Sequence, residues 1–149
     1  MELKAAILHY CKYQERCHSE VRNKLYELGC TTPEVEQELT TLIESGILNE
    51  ERFARAFAGG KFRMKQWGKE KIKKQLKLRK ISDYCIKKAL TEIDGDDYEK
   101  VLKKLTEKKV AEIKGDRSKL SRKAKLYRFL IQKGFERDIV SDIVSAYII

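Results

Sequence analysis

The residues of this chain best suited to binding chemistry are the lysines and arginines at its centre. From Lys61 to Lys80 the sequence contains ten basic residues and one acid, Glu70. A solvated helix face normally interleaves Glu with Lys. A run without that neutralisation keeps a positive field, which favours a polyanionic or acidic partner. We therefore expect the centre of the chain to bind a negatively charged molecule.

The net charge of the chain, +10, is concentrated in the same region. Residues 51–93 contain 14 basic against four acidic residues, residues 94–149 contain 14 against ten, and residues 1–50 contain five against nine. The acidic first third is expected to be a solvated surface. The last third provides a second, weaker basic region.

A helix would separate the central cations from the core. Residues three and four apart share one helical face. Lysines at spacings of four, four and three therefore form one stripe, made of Lys69, Lys73, Lys77 and Lys80. This stripe can face solvent while Ile72 and Leu76 pack inward. Trp67, in the predicted turn before this helix, either stacks on a base or fills the turn as a hydrophobic plug. The predicted binding residues are Lys61, Arg63, Lys65, Lys69, Lys73, Lys77 and Lys80, with Arg122, Lys123, Lys125 and Arg128 as a secondary cluster.

Catalysis and metal binding have little support in the sequence. His9 and His18 have no nucleophile beside them, and their spacing with Cys11 and Cys17 matches no common structural zinc site. No Gly-rich phosphate loop of the P-loop type is present. Three aspartates within residues 94–97 lie in a predicted polar linker and lack the later ligands of a calcium loop. We expect a non-enzymatic protein without a metal or cofactor.

Composition predicts an all-α fold. The chain has one Pro and eight Gly, which is few for a β-sandwich or barrel, and helix-forming residues dominate. No apolar run is long enough to span a membrane, and the charged N-terminal segment does not resemble a signal peptide. Four cysteines without a CxxC pair are typical of reduced thiols. We expect a cytoplasmic protein.

One pattern of apolar residues occurs three times along the chain. It begins at Val21, Ile72 and Leu126, which lie 51 and 54 residues apart, and it continues with apolar residues at offsets of 4, 9, 14 and 18. The spacing of four indicates one face of a helix. Gly29 and Gly134, at offset 8, predict a helix that ends in a left-handed residue. The second copy has Lys80 there, so we expect its helix to end differently.

Each copy supplies two helices, and a further helical segment precedes it, at residues 4–14, 50–66 and 96–114. The chain is therefore predicted to contain three tandem three-helix repeats, at residues 1–48, 49–94 and 95–149. A unit of ~50 residues is only marginally able to fold alone. We expect the repeats to pack end to end in an elongated, curved arrangement.

The most specific local motifs lie in the second repeat. They are GILNEERFARAF at residues 46–57, the basic stretch that follows, and GKEKIKKQL at residues 68–76. Together they resemble the pattern of the RecX family, and the segment from Ser19 to Gly29 is similar to the family's first-repeat motif. The resemblance extends over essentially the whole chain.

That resemblance implies a regulator of the RecA recombinase. The expected partner is the RecA–DNA filament, bound within its helical groove, and the expected effect is inhibition of ATP hydrolysis, strand exchange and co-protease activity. These activities belong to recombination, DNA repair and the SOS response. The resemblance also implies contact with single-stranded DNA, with double-stranded DNA left open, and we expect a monomer.

Two other functions compete with this interpretation. A three-helix unit resembles a homeodomain or helix-turn-helix module, which would make the chain a sequence-specific binder of double-stranded DNA. That function needs base-reading Arg, Asn or Gln side chains, whereas the central helix is rich in Lys, which suits phosphates. A nuclease is the third possibility, and metal-dependent cleavage of DNA would support it.

Overall fold

The computed structural model describes residues 2–149, and within this range it contains helices and turns but no strand. The all-α prediction is confirmed. None of these helices is long and apolar enough to cross a membrane. Their bounds are α1 (Glu2–Tyr13), α2 (His18–Glu27), α3 (Thr32–Glu44), α4 (Glu50–Lys65), α5 (Lys69–Leu78), α6 (Asp83–Leu90), α7 (Gly95–Glu112), α8 (Lys119–Lys133) and α9 (Arg137–Tyr147).

The first helix of each repeat lies where the sequence predicts it. Local capping explains two of the starting points. The Asn49 side chain accepts a hydrogen bond from the Arg52 N–H at 2.9 Å, and the Asp94 carboxylate accepts one from the Asp97 N–H at 3.1 Å. Each cap satisfies a backbone donor that the first helical turn would otherwise leave unpaired.

The repeated apolar pattern forms the core. Its residues are buried at every offset in all three copies except Leu90, which is half-buried. Because the identical spacing buries the equivalent side chains each time, the three-helix repeat predicted from the sequence is confirmed.

The second helix of every repeat ends in the same geometry. The N–H groups of Cys30, Ile81 and Phe135 donate to the carbonyl five residues earlier, at 3.1, 3.1 and 3.2 Å. The preceding residue is left-handed in each copy, and Lys80, with φ of 61°, adopts the conformation that Gly29 and Gly134 adopt. The left-handed residue also donates its own N–H to the carbonyl three residues earlier, at 3.0, 2.9 and 2.9 Å. The two bonds together form a Schellman motif. Our expectation that Lys80 ends its helix differently was therefore wrong.

The chain forms two compact units. The first extends through Phe57 and includes Leu76–Ala89, and the second comprises Ala58–Gln75 and Leu90–Ile149. The repeat bounds at residues 48 and 94 and the elongated arrangement stay predictions.

In the first unit, Arg52 joins the loop before α4 to the N-terminal segment. Its guanidinium donates to the carbonyls of Gly46 and Ile47 at 3.0 and 2.8 Å and contacts the carboxylate of Glu15 at 2.7 Å. This arginine belongs to the RFA part of the sequence motif. Its role there is to satisfy loop carbonyls that no helix can pair.

Candidate functional site

The N-terminal end of α5 is held against the C-terminal end of α8, within the second unit. The Gly68 N–H donates to the carbonyl of Lys133 at 2.7 Å, and the Glu70 N–H donates to the carbonyl of Gly134 at 2.9 Å. A Cβ on Gly68 would lie 2.3 Å from the carbonyl carbon of Gly134, so only glycine fits. Because the positive end of one helix dipole meets the negative end of the other, the contact is also electrostatically favourable.

Tyr98 of α7 also contacts the N-terminal end of α5. Its buried ring contacts those of Phe62 and Phe135, whose centroids are 5.8 and 5.3 Å away. The Tyr98 hydroxyl accepts from the Lys69 N–H at 2.9 Å and donates to the carboxylate of Glu136. Burial, followed by the bond to Glu136, raises the pKa of Tyr98 well above its usual value. The hydroxyl is therefore protonated at neutral pH and fixes the position of α5.

Two lysines of the predicted stripe make charged contacts with other residues of the second unit. The Lys69 ammonium lies 4.7 Å from the centre of the Tyr98 ring, and the Lys73 ammonium is 3.3 Å from the carboxylate of Glu70. Both side chains are half-buried. Their positive charge is partly satisfied by these contacts, which lessens what they can contribute to a partner.

Trp67 is the centre of a small cationic cluster. The ammonium groups of Lys61 and Lys71 lie 5.1 and 4.7 Å from the centre of its ring, and the indole is half-buried. We call Lys61, Trp67 and Lys71 the Trp67 cluster. The half-buried ring has features of both sequence interpretations, since it fills the turn between α4 and α5 and still exposes part of its surface.

The exposed cations of this region are Arg63, Lys65 and Lys74. Sequence reasoning identified Arg63 and Lys65 but missed Lys71 and Lys74, because it selected the lysines that follow Lys69 at spacings of four, four and three. Both missed lysines line a groove of about 730 Å³ with Arg137 at the start of α9. The clue in the sequence was their mutual spacing of three, which also places two residues on one helical face.

The remaining two members of the stripe belong to the first unit. Lys77 and Lys80 are both exposed. Lys80 lines a cleft with Arg22, Arg79 and His18, and the Ser19 hydroxyl donates to the carbonyl of Arg79 at 3.0 Å. The His18 ring contacts the carboxylate of Glu50 at 3.4 Å, so this cleft holds charges of both signs.

The four residues of the secondary cluster on α8 have different environments. Lys125 is bound to Asp116 at 2.8 Å, and this bond holds the pKa of the Asp116 carboxyl well below its usual value. Arg122 is half-buried, with an Nε that has no hydrogen-bond partner among residues 2–149. Lys123 and Arg128 line an apolar groove on the helix.

No three His, Cys, Asp or Glu side chains in the described part of the chain converge on a position that could hold a metal ion.

Two family models match the chain, each in the region where the structure has a three-helix repeat. Residues 49–90 match the second three-helix domain of RecX, and residues 96–144 match the third. The chain belongs to the RecX family. The resemblance carried by the sequence motifs is thereby confirmed.

Relatives named regulatory protein RecX match over most of this chain. The protein of Clostridium perfringens strain 13 is 33% identical over 132 residues, which are 87% of this chain and 60% of that protein. The protein of Lactococcus lactis strain SK11 is 30% identical over 140 residues, which are 93% of this chain and 52% of that protein. The chain thus spans about half to three-fifths of the length of these RecX relatives.

Solved RecX structures share the fold. The crystal structure of RecX from Lactobacillus salivarius superposes with a TM-score of 0.84 at 25% identity, covering 98% of this chain and 94% of that one. A second RecX crystal structure gives a TM-score of 0.85 at 23% identity, covering 97% of this chain and 70% of that one. The all-helical architecture is therefore that of the RecX family.

Proposed function

We propose that this chain regulates the RecA recombinase by binding the RecA–DNA filament and inhibiting its ATP hydrolysis, strand exchange and co-protease activity. Membership of a family whose proteins are named regulatory supports a regulatory role. The observation that carries the site is the Trp67 cluster, with Arg63, Lys65 and Lys74 exposed on the same two helices. We place this activity in the cytoplasm and expect the chain to act as a monomer.

The chemistry of this region suits a nucleoprotein filament. Phosphate groups and acidic protein surfaces are both attracted to lysine and arginine, and the exposed part of the Trp67 ring offers a stacking surface for a base or a planar side chain. Lys69 and Lys73 are held by Tyr98 and Glu70, so we assign the larger part of the binding to the exposed cations. The full set of candidate residues predicted from the sequence stays a proposal.

The test is a titration of RecA ATPase on single-stranded DNA with the wild-type chain and a double variant, Lys65→Glu/Lys74→Glu. Both side chains are exposed, so the substitution leaves the core intact. We expect the variant to need at least about tenfold more protein for half inhibition, because each reversal replaces an attraction by a repulsion. Full inhibition by the variant at wild-type concentrations would refute the assignment of the site.

The matched control is Lys103→Glu/Lys104→Glu. These lysines are also exposed and lie on α7, so the variant carries the same change in net charge. It should inhibit within about threefold of wild type if position rather than total charge matters. Equal losses in the two variants would mean that only the long-range field of the chain contributes. No inhibition by the wild-type chain would refute the proposed function itself.

A salt titration separates DNA contacts from RecA contacts. If the wild-type chain neutralises about four phosphates of an oligo(dT) strand, the logarithm of its affinity should fall with the logarithm of salt concentration with a slope near −3. The Lys65→Glu/Lys74→Glu variant should lose about half of that slope. A wild-type chain that inhibits the filament but shows no salt-dependent binding to free DNA would assign these lysines to RecA.

A further inference from the structure

Helix α8 has two apolar faces, and only one of them belongs to the core. Leu126 and Leu130 are fully buried. A second apolar row runs along the helix at spacings of four, three and four residues, and 80% of the Leu120 side chain is exposed. The members of this row are Leu120, Ala124, Tyr127 and Ile131.

The exposed row lines a groove of about 540 Å³. Val144 of α9 closes one side of it, and Lys123, Arg128 and Gln132 contribute its polar edge. Exposure of large apolar side chains to water costs free energy, and a contiguous apolar patch at the surface commonly marks an interaction site. We call this surface the α8 groove.

The spacing within the row is that of a helix-packing seam. Apolar residues alternating by three and four correspond to the a and d positions of a heptad, and the residues beside them are the e and g positions that set partner choice by charge. Taking Leu120 and Tyr127 as d, Ala124 and Ile131 are a positions. Lys123 then occupies a g position, and Arg128 occupies an e position. Both flanking positions that carry charge are therefore basic.

Charge around the α8 groove is of one sign along the whole helix. Residues 119–133 contain six basic residues and no acid. Lys125 is bound to Asp116, whereas Lys123 and Arg128 line the groove. A helix that packs here must complement both features: apolar side chains for the row, and negative charge for its edges.

We propose that the α8 groove binds an acidic amphipathic helix of a partner protein, with apolar residues spaced by three and four and with Asp or Glu at the flanking positions. This is the helix-in-groove mode of recognition, in which apolar anchors give affinity and flanking charges give specificity. The inference does not depend on the Trp67 cluster, since it concerns α8 and a contact made mainly by apolar side chains. It assigns two cations of the secondary cluster, Lys123 and Arg128, to the edges of this groove.

Two other occupants fit less well. Nucleic acid binds exposed planar rings and cations, but the row contains one aromatic ring among three aliphatic side chains. A second copy of this chain could offer α3, its acidic helix, yet the apolar residues of α3 at Val35, Leu39 and Leu42 are buried in its own core. A partner with an unused apolar face suits the groove better.

The test uses two synthetic, fluorescein-labelled helical peptides with Leu at every a and d position. One has Glu at the e and g positions, and the other has Lys there. Fluorescence anisotropy at physiological ionic strength should show binding of the Glu peptide and at least about tenfold weaker binding of the Lys peptide. In the Lys123→Glu/Arg128→Glu variant the order of the two affinities should be inverted. Equal affinity of both peptides, or no binding of either, would overturn the proposal.

A second pair of variants locates the contact. Leu120→Asp should weaken binding of the Glu peptide by about tenfold, because the most exposed apolar anchor of the row becomes negatively charged. Leu78→Asp is the matched control: Leu78 lies on α5 with 74% of its side chain exposed, and the change should leave the affinity unaltered. Helical content by circular dichroism should be the same in both variants.

Two results would replace the proposed occupant. If Leu120→Asp abolishes binding of an oligo(dT) strand while neither peptide binds, the groove is a nucleic-acid surface and the proposal fails. If sedimentation shows a dimer that Leu120→Asp converts to a monomer, a second copy occupies the groove and the proposal also fails. Retention of the peptide preference in a monomeric chain supports it.

Discussion

Helices α5 and α8 hold equivalent positions in the second and third repeats, and both are rich in lysine and arginine, but they use these residues differently. In α5, Lys69 and Lys73 contact a tyrosine ring and a glutamate within the fold. In α8, Lys123 and Arg128 line an apolar groove at the surface. The comparison shows that a basic helix cannot be assigned to binding from its charge alone, because neighbouring residues decide which cations are left for a partner.

The two helices also differ at their C-terminal ends. Both end in a left-handed residue with the same pair of hydrogen bonds. The backbone of Gly134, at the end of α8, packs directly against the start of α5. Lys80, at the end of α5, has an exposed side chain instead. One position therefore requires glycine on two grounds, conformation and packing, and the other tolerates lysine.

The largest effect is expected at the contact of the two helices. Gly134→Ala should lower the free energy of unfolding by more than about 3 kcal/mol. The added Cβ is placed in a left-handed residue and 2.2 Å from the Cβ of Lys71, so both backbone strain and overpacking oppose it. Urea denaturation followed by circular dichroism measures the change.

The control for this substitution is Gly29→Ala. Gly29 has the same left-handed conformation, with φ of 91°, but a Cβ added there would have open space within 4 Å. Its cost should be only about 1 kcal/mol, which is the conformational part alone. Similar losses at Gly29 and Gly134 would show that packing between α5 and α8 adds little.

A smaller effect is expected for Tyr98→Phe. It removes the hydroxyl that pairs the Lys69 N–H and the Glu136 carboxylate, so the free energy of unfolding should fall by about 2 kcal/mol at pH 7. The ring contacts with Phe62 and Phe135 remain. An unchanged unfolding midpoint would mean that water replaces the hydroxyl without loss.

The same tyrosine should give the fold a pH dependence in alkali. Since the pKa of Tyr98 is raised in the folded state by burial and by Glu136, its contribution to stability is complete below about pH 10, the unfolded value. It is lost progressively as the pH rises above 10, because the unfolded chain releases this proton first. Urea midpoints measured at pH 9, 10 and 11 should show a larger loss of stability with rising pH in the wild-type chain than in the Tyr98→Phe variant. Parallel losses would contradict the assignment.

The smallest effect, and the only gain, is expected at the end of α5. Lys80→Gly should raise the free energy of unfolding by up to about 1 kcal/mol, because glycine adopts φ near 61° without steric cost. Lys80→Ala removes the same charge but keeps the strain, so it should bring no gain. A gain in both variants would point to charge repulsion among the neighbouring cations instead.

The sequence predicted the repeats well because the local spacing of apolar residues determines which side chains of each helix are buried. An apolar residue every three or four positions specifies a helix face, and three copies of one spacing specify three equivalent units. Prediction failed at Lys80 because it relied on residue type. The hydrogen bond from the Ile81 N–H to the carbonyl of Leu76 imposes the left-handed turn, and burial of Ile81 stabilises it, whatever side chain occupies position 80.

The binding residues were harder to predict, since a spacing of four from Lys69 selects a face but not the environment of that face. Tyr98 lies 29 residues from Lys69 in the sequence, yet its hydroxyl accepts a hydrogen bond from the Lys69 N–H. Lys71 and Lys74 line a groove together with Arg137 of α9. Contacts of this range depend on how the helices pack. No pattern within a single helix contains that information.

By itself, the sequence determined the helices, their grouping in threes and the concentration of positive charge in the middle of the chain, because periodicity and composition are properties of neighbouring residues. Only the tertiary structure decided that Gly68 and Gly134 bring two helix ends into contact, that two ammonium groups lie close to the Trp67 ring, and that α8 keeps an apolar row at its surface. The physical reason is that desolvation and pairing of a side chain are set by the residues that surround it in space.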